Sequence, residues 1–103
     1  MQVTVMITWK LKQDRSAECY KGIFDLRASV MRQPGYISSE TLQEYEDPNN
    51  ITVLSRWDNV DSWNAWMNSP ERQSTAAGIE KCLEGPPEYK VFSVLKLREK
   101  LKG

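Results

Sequence analysis

The amino-acid sequence predicts an α+β domain of the split βαβ, or ferredoxin-like, type: a four-stranded antiparallel sheet with helices packed on one face. Three observations lead to this prediction. The length of 103 residues suits a single domain. A composition of 40% hydrophobic and 27% charged residues is typical of a globular protein. Apolar residues recur with period two in four segments and with period three to four between them, in the order strand, helix, strand, strand, helix, strand.

The first strand and the first helix differ in their apolar period. Residues 3–11 (VTVMITWKL) alternate with period two, which is typical of a half-buried strand. A helix is predicted over residues 17–33, with Ser16 as its N-cap, and the Pro34-Gly35 pair is expected to end it. The apolar stripe of this helix is predicted to consist of Tyr20, Ile23, Phe24, Arg27, Val30 and Met31.

The second and third strands form a predicted hairpin. Residues 36–47 and residues 51–57 each alternate as strands, and the segment DPNN between them (47–50) has the composition of a turn. Alternation in the third strand places Val53 and Trp57 on one face, which we expect to be turned towards the helices.

The second helical region is predicted in two pieces. Asp61 is expected to cap a short helix, with Val60 before it as a hydrophobic staple. Ser69 and Pro70 then restart the helix as cap and first helical residue, and the new helix is expected to run to Leu83.

The C-terminal part contains the last strand and a charged tail. The segment Gly85-Pro86-Pro87 ends the preceding helix, and residues 88–97 read as a strand. We predict that residues 1–96 form the domain and that residues 97–103 are a solvated tail of alternating charge.

The charge balance excludes partners that are bound mainly by charge. Fourteen basic and fourteen acidic residues cancel, so neither nucleic acid nor an anionic membrane is an expected partner. No apolar run is long enough to span a membrane, and the N-terminus lacks the pattern of a signal peptide. A cytoplasmic location is therefore predicted, with Cys19 and Cys82 as reduced, half-buried thiols because they have no nearby partner in the sequence.

The absence of histidine limits the possible chemistry. With no His among 103 residues, the chain lacks the side chain that titrates near neutral pH and the commonest metal ligand. Two isolated cysteines do not make a zinc site. Catalysis by Ser-His or Cys-His pairs and by metals is therefore not expected, and neither a cofactor nor a metal ion is predicted.

The sheet face away from the helices carries apolar residues. Leu54, Phe92 and Val94 are expected there, although a face turned to water would not need them. We therefore predict a homodimer formed through this face, with two-fold symmetry. The alternative is a monomer with scattered apolar surface residues.

Three of the four tryptophans lie within ten residues, in the segment LSRWDNVDSWNAWMNSPERQ. Trp57 ends the third strand, and Trp63, Trp66 and Met67 share one side of the short helix. They either fill the core or wall a site for a small aromatic ligand. The second interpretation requires that Trp57 and Trp66 border a hollow, and contact too tight to admit a benzene ring would contradict it.

The segments PGYISSETL and LSRWDNVDSWNAWMNSPERQ resemble the antibiotic biosynthesis monooxygenase (ABM) domain, over about residues 2–96. The shared pattern consists of Pro34, Gly35 and Tyr36 at the start of the second strand, Trp57 at the end of the third, and Trp66, Ser69 and Arg72. The resemblance implies a homodimer whose two sheets pack into an α+β barrel, with a hydrophobic cleft in each protomer. Members of this family include cofactor-independent oxygenases of electron-rich aromatic polyketides, haem-degrading oxygenases and isomerase-like proteins.

Neither catalytic set of the family is complete in this chain. The polyketide-oxidising members resemble it at Trp57, but they carry an Asn at the position of Val53 and a Tyr at the position of Trp63. The haem-degrading members resemble it at Trp66, but they have a His at the position of Ala76, and their first-strand Asn has no counterpart here. The resemblance therefore implies a pocket more directly than a reaction.

The preferred hypothesis is cofactor-independent oxygenation of a small electron-rich aromatic, such as a quinol or an anthrone. Such a reaction needs walls around the ring and stabilisation of negative charge. The predicted catalytic residues are Trp57 and Trp66 as walls and N–H donors, Arg72 as a cation, and Glu40 as the candidate base. The predicted substrate-binding residues are Trp63, Met67, Tyr36 and Val53.

Two alternatives remain open from the sequence. A binding protein that holds a small aromatic without altering it would need no base. A haem-binding relative is the other alternative, although without His only Tyr, Cys or Met could ligate the iron. For the preferred hypothesis, Glu40 is expected on the same strand face as Tyr36 and Ser38, and its pKa would have to be raised.

Overall fold

The computed structural model describes residues 1–13 and 17–102. The predicted N-cap at Ser16 lies outside the described residues. The elements in chain order are β1 (Val3–Lys10), α1 (Ala17–Val30), β2 (Tyr36–Gln43), β3 (Asn50–Trp57), α2 (Val60–Met67), α3 (Pro70–Glu80), β4 (Glu88–Ser93) and α4 (Leu97–Leu101).

The four strands form one antiparallel sheet in the order β2-β3-β1-β4. This order, with both long helices on one face, confirms the predicted split βαβ fold. Alternate residues of β1, such as Val5 and Trp9, are buried under the helices, and in β3 Ile51 and Trp57 face the same way. The predicted orientation of β3 is therefore confirmed.

The predicted faces of β2 are wrong at its first residue. Tyr36 pairs with Trp57 and Ser38 pairs with Arg56, so the register shifts between Tyr36 and Ser38 and Ile37 has no partner. The extra residue reverses the alternation. Tyr36 therefore shares the helix-facing side with Ser39, not with Ser38.

Helix α1 ends earlier than predicted, at Val30. Two tighter turns follow it, in which the amides of Arg32 and Gln33 donate to the carbonyls of Ser29 and Val30. The side-chain amide of Gln33 also donates to the carbonyl of Ser29 at 3.0 Å. These bonds satisfy carbonyls at the end of the helix before the chain reaches the proline.

The predicted apolar stripe of α1 is only partly correct. Ile23 is buried and Val30 packs against the core, but Tyr20, Phe24 and Met31 are exposed. The buried face consists of Cys19, Gly22, Ile23, Leu26 and Ser29.

Close packing of α1 against α3 explains this choice of face. A Cβ atom on Gly22 would lie 3.1 Å from the backbone carbonyl carbon and oxygen of Gly78. Only a small residue lets the two backbones approach so closely. The two helices run antiparallel, since Cys19 near the start of α1 bonds to Cys82 beyond the end of α3.

The predicted reduced thiols are wrong. Cys19 and Cys82 form a disulfide with a Cα–Cα distance of 6.0 Å across a sequence separation of 63 residues. Both residues are buried at 6% exposure. Sequence spacing did not indicate this pair, because only the packing of α1 on α3 brings the two residues together.

The start of α2 also differs from the prediction. Asn59, not Asp61, is the N-cap, and its side-chain oxygen accepts a hydrogen bond from the amide of Ser62 at 2.9 Å. Val60 is the first helical residue, and it is exposed. Asp61 lies in the first turn instead, where the positive end of the helix dipole stabilises its carboxylate.

The start of α3 agrees with the prediction. Ser69 is the N-cap, its hydroxyl accepts from the amide of Arg72 at 3.1 Å, and Pro70 opens the helix. The helix stops at Glu80 and not at Leu83, because Leu83 pairs with Leu11 in an isolated β-bridge.

The C-terminal part differs from the prediction after Ser93. The strand β4 ends at Ser93, and the segment predicted as a tail contains the short helix α4, which buries no residue. The boundary at residue 96 remains a prediction. In the described part of the chain, no helix is long and apolar enough to cross a membrane.

Candidate functional site

A narrow cleft of about 40 Å³ lies between α1 and the helix-facing side of the sheet. Strands β1, β2 and β3 form its floor, α1 forms one wall, and α2 and α3 contribute to its other side. The lining residues are Ile7, Trp9, Ile23, Leu26, Arg27, Val30, Ser39, Thr41, Val53, Ser55, Trp63, Trp66 and Arg72.

The indole rings at the cleft come from α2 and β1. Trp63 and Trp66 are three residues apart, so they lie on adjacent rows of α2 and both reach the cleft. Trp63 and Trp66 are 5% and 4% exposed, so the surrounding side chains hold their rings in place. Trp9 of β1 is a third indole at the cleft, and it was not predicted there because it lies outside the tryptophan-rich segment.

Trp57 is part of the core and does not line the cleft. Its ring is 0% exposed and packs edge-on against Tyr36 and Trp63, at centroid distances of 5.9 and 5.8 Å. Its indole N–H donates to the hydroxyl of Ser55 at 3.0 Å, so that donor is already used. The predicted hollow between Trp57 and Trp66 is therefore wrong for Trp57.

Two arginines give the cleft a positive charge. Arg27 of α1 is exposed, and Arg72 of α3 is half-buried because the Ser69 cap starts α3 beside the cleft. Neither guanidinium forms an ion pair within residues 1–13 and 17–102. No carboxylate is among the described lining residues, so these two charges are not neutralised inside the cleft.

Arg72 is held by Tyr89 of β4. A guanidinium nitrogen of Arg72 donates to the Tyr89 hydroxyl at 2.7 Å. The guanidinium carbon also lies 5.9 Å from the centre of the same ring. The Tyr89 hydroxyl is a neutral acceptor, and the Arg72 guanidinium has no carboxylate partner among the described residues. An anion near Arg72 would therefore accept a stronger hydrogen bond than the phenol does.

Three hydroxyl-bearing residues lie on the otherwise apolar floor of the cleft. Ser39, Thr41 and Ser55 contribute hydroxyls from β2 and β3. The hydroxyl groups of Ser39 and Tyr36 are 2.7 Å apart. The register shift at Ile37 turns Ser39 and Thr41 towards the helices, and the strand pattern of the sequence gives no signal of that shift.

The remaining predicted site residues divide clearly. Val53 lines the cleft, as do Trp63, Trp66 and Arg72. Tyr36 and Met67 do not line it and pack against the core. Glu40 is exposed and pairs with Leu54 on the sheet face away from the helices, so it is remote from the cleft.

The volume of the cleft limits the size of the ligand that can bind while the side chains keep their present positions. A cavity that binds benzene measures roughly 150 Å³, and one water occupies about 10 to 15 Å³ on the same kind of scale. The volume of about 40 Å³ is too small for an aromatic ring, so the prediction that Trp57 and Trp66 border a hollow that admits a benzene ring is wrong for the side-chain positions of this structure. A ring therefore enters only if a lining side chain moves, and the half-buried Arg72 is less constrained than the buried indoles.

No metal centre accompanies the cleft in the part of the chain that the structure describes. No group of three or more His, Cys, Asp or Glu side chains is placed there to hold a metal ion. The groups that the described residues offer to a ligand at the cleft are therefore indoles, guanidiniums and hydroxyls.

Comparisons with known proteins agree with this architecture. The sequence profile of the family described as antibiotic biosynthesis monooxygenase matches residues 2–78. The 42.8 kDa protein in the whiE locus of Streptomyces coelicolor is 29% identical over 84 residues, which are 82% of this chain and 20% of that protein. Protein SchA of Streptomyces halstedii is 25% identical over 95 residues, which are 92% of this chain and 25% of that protein. The chain thus spans about a fifth to a quarter of the length of these relatives.

A solved structure gives the same fold. SnoaB, a cofactor-independent oxygenase from Streptomyces nogalater, superposes with a TM-score of 0.81 at 19% identity, covering 92% of this chain and 94% of that chain. At this identity the likeness shows the fold alone. Since the family profile covers more than half of the chain, the protein belongs to the antibiotic biosynthesis monooxygenase family.

Proposed function

We propose that the protein is a cofactor-independent monooxygenase that oxidises a small electron-rich aromatic of the anthrone or quinol type in the cleft, which widens by movement of a lining side chain when the ring enters. The observation that carries this proposal is the pairing of indole walls with two uncompensated arginines and no lining carboxylate. Such a site favours a flat, anionic ligand over a neutral one.

The arginines replace the missing base. Arg27 and Arg72 stabilise the phenolate form of a bound substrate, so they lower the pKa of the substrate and not that of a protein group. Glu40 is not needed in this scheme, which agrees with its position on the opposite face. The proton passes to solvent when the anion forms.

The electrons for the reaction come from the substrate. In an anthrone, the anion gives one electron to O₂, and the resulting radical and superoxide combine to form a carbon–oxygen bond. The second hydrogen of the reacting carbon then leaves as a proton, the O–O bond breaks, and the carbon becomes a carbonyl. One oxygen atom stays in the quinone and the other leaves as water, so no external reductant is needed. The protein holds the ring and stabilises the anion.

The relatives support the class of reaction. SnoaB is described as a cofactor-independent oxygenase, and this chain shares its fold. The hydroxyls of Ser39 and Thr41, which lie on the cleft floor, add donors that could contact a substrate oxygen.

Anthrone oxidation under air and under argon tests the proposal, with a metal chelator present. We expect oxygen-dependent quinone formation well above the buffer rate, and a loss of about tenfold or more in kcat/KM for Arg72→Met. Lys21→Met is the matched control, because this exposed lysine pairs, among the described residues, only with Asp25. The rate should rise with pH along the ionisation of the substrate itself. A rate equal to that of buffer would refute the enzyme proposal.

A passive binding protein is the second candidate. It is favoured by the lack of any carboxylate or histidine among the described lining residues. The same assay separates the two candidates, because a binding protein would take up anthrone in equilibrium dialysis under argon without accelerating its oxidation in air.

We also propose a homodimer formed through the sheet face away from the helices. Phe92, on that face, is 46% exposed, and Val94 beyond the strand is 64% exposed. Leu54 and Met6 lie on the same face between them and the edge strand β2. Burying this surface in a second copy would remove apolar area from water.

Sedimentation analysis tests the dimer. Phe92→Glu should convert the dimer to a monomer, because it would bury two unpaired carboxylates at the interface. Phe24→Glu is the control, since Phe24 is 68% exposed on α1. A wild-type protein that is monomeric at micromolar concentration would contradict this proposal.

The cytoplasmic location remains a proposal. Disulfides are uncommon in the cytosol of mesophiles, so the Cys19–Cys82 bond weighs against it. Fractionation of cells that express the full-length natural protein, with thiol alkylation at lysis, reports both the compartment and the state of the two cysteines.

A further inference from the structure

Ser55 places a buried hydroxyl on the floor of the cleft. It lies in β3, lines the cleft and is 3% exposed. Its oxygen accepts a hydrogen bond from the indole N–H of Trp57, which lies in the core, at 3.0 Å. Among residues 1–13 and 17–102, no acceptor lies within hydrogen-bond distance of the Ser55 hydroxyl proton. Since a hydroxyl both donates and accepts, this proton is available to a water or a ligand in the cleft.

Ser39 lies opposite Ser55 and faces the same way. The two residues are paired across β2 and β3, and both line the cleft, so we call them the serine pair. Residues paired in this way have Cβ atoms about 4.5 to 5.5 Å apart, so both hydroxyls can reach one acceptor atom between them. The hydroxyls of Ser39 and Tyr36 are 2.7 Å apart. When Tyr36 donates this bond, Ser39 keeps its own proton for the cleft, as Ser55 does.

Two aromatic rings hold the serine pair from behind. Tyr36 bonds to Ser39 and Trp57 bonds to Ser55. The two rings pack edge-on with their centroids 5.9 Å apart. Trp57 is fully buried and Tyr36 is half-buried. The packing of these rings fixes the serine oxygens on the floor, and donors held in place in this way stabilise a developing charge without first having to reorient.

The other polar residues of the cleft act from different positions. Arg27 and Arg72 lie on the helices, and Thr41 is exposed on the edge strand β2. Val53, two residues before Ser55, has no hydrogen-bond donor in its side chain. The serine pair therefore supplies the neutral donors that the folded core holds in place at the cleft.

We propose that Ser55 and Ser39 are catalytic residues that donate hydrogen bonds to the substrate oxygen on which negative charge develops. This inference rests on the proposed function and adds two residues to it. The serine hydroxyls keep their protons throughout, and the proton of the substrate still passes to solvent. The arginines attract the anion from the helices, whereas the serine pair fixes the position of its oxygen and thereby the orientation of the ring.

Two ligands of nearly the same shape test whether the serine pair contacts an oxygen. Anthrone carries the oxygen, and 9,10-dihydroanthracene has the same three rings without it. Ser55→Ala should weaken the binding of ionised anthrone about tenfold and change dihydroanthracene binding by less than about twofold. Equilibrium dialysis under argon measures both affinities. A change in the shape of the cleft would instead weaken the binding of both ligands.

Ser38→Ala is the matched control, because Ser38 pairs with Arg56 and faces away from the helices. It should change neither affinity. Ser55→Thr keeps the hydroxyl and should bind anthrone within about threefold of the wild type. Thermal melts establish that each variant is folded. If Ser55→Ala does not fold, because the Trp57 N–H loses its acceptor, Ser39→Ala takes its place in the same comparison.

The ionisation of bound anthrone gives a second readout that a structural role would not move. The absorption spectrum of the complex under argon reports the midpoint of ionisation as pH is raised. Loss of one hydrogen bond to the anion in Ser55→Ala should move this midpoint up by about one pH unit. Ser38→Ala should leave the midpoint at the wild-type value.

Equal losses of affinity for the two ligands, or an unchanged ionisation midpoint in Ser55→Ala, would overturn the role of the serine pair. The proposed function would still stand if the wild-type protein oxidises anthrone faster than buffer does. If the wild-type protein binds neither ligand, both proposals are wrong.

Discussion

Gly35 sets the geometry between β2 and α2 at the level of a single residue. Its φ of 84° lies in the left-handed region, and its carbonyl accepts a hydrogen bond from the amide of Asp58 at 2.9 Å. A Cβ atom at this position would lie 2.3 Å from the hydroxyl oxygen of Ser62 and 2.4 Å from a carboxylate oxygen of Asp58. Position 35 therefore requires glycine, because its φ is positive and because a side chain would clash with Ser62 and Asp58.

Gly35→Ala should lower the free energy of unfolding by about 2 kcal/mol, because it adds backbone strain and displaces the first turn of α2. Gly85→Ala is the control, since its Cβ meets nothing within 4 Å and should change stability by less than about 0.5 kcal/mol. Chemical denaturation followed by circular dichroism measures both. Equal effects of the two substitutions would contradict the steric argument.

Trp57 contributes to stability and not to ligand binding, at the same residue scale. Trp57→Phe should cost about 2 kcal/mol, because it leaves a cavity in the core and removes the hydrogen bond to Ser55. Anthrone affinity should stay within about twofold of the wild type, since Trp57 does not line the cleft. A large loss of affinity with unchanged stability would restore Trp57 to the site.

The pair α1 and α3 is held at both ends. At one end are the disulfide and an ion pair in which Lys81 donates to the carboxylate of Glu18. At the other end, Glu71 of α3 accepts hydrogen bonds from Ser29 at 2.7 Å and Gln33 at 2.9 Å. The cleft is lined by the same α1, so its width depends on this pairing.

The Glu71 contacts predict an acid dependence of stability at the level of these elements. The Ser29 hydroxyl, then the Gln33 amide and the Arg32 guanidinium, lower the pKa of Glu71 in the folded protein. The stabilisation is therefore present above the ordinary carboxyl pKa of about 4.3 and is lost as pH falls through the lower folded value.

Glu71→Gln should lower the melting temperature near neutral pH, and the difference from the wild type should shrink as pH falls below about 4. Thermal melts across this pH range measure it. Glu46→Gln is the control, because Glu46 is exposed in the turn after β2. A difference that stays constant with pH would mean that the charge of Glu71 does not contribute.

The disulfide acts on the whole molecule, because it closes a loop of 63 residues that contains β2, β3 and α2. Such a loop limits the unfolded chain, and the expected stabilisation is on the order of 2 to 4 kcal/mol. The Cys19→Ser/Cys82→Ser double variant should fold with a lower melting temperature, and a reductant should lower that of the wild type alone. Two thiols that react with an alkylating reagent in the wild-type protein, unfolded without reductant, would contradict the disulfide.

Most of the fold was predictable because it is encoded in neighbouring residues. The alternation of β1 and β3, the Ser69-Pro70 start of α3, and the helix-facing side of Trp57 all follow from local spacing. The predictions were wrong where contacts between residues distant in sequence determine the structure. The buried face of α1 follows Cys19 and Gly22 because α3 lies against them, and no local pattern contains that information.

The site was less predictable than the fold. Helical spacing correctly brought Trp63 and Trp66 to one side, and Arg72 follows from the cap that starts α3. The loss of Glu40 from the cleft depends on one unpaired residue, Ile37, which reverses the strand alternation, whereas Tyr36 faces the helices and packs against the core.

By itself, the sequence determined the order of the elements, the antiparallel sheet and the aromatic character of the site, since periodicity and capping act over a few residues. Only the tertiary structure decided the disulfide, the narrowness of the cleft, and the contact of Arg72 with Tyr89. Those features depend on how closely segments distant in sequence approach each other, and that distance is set by the packing of the whole domain.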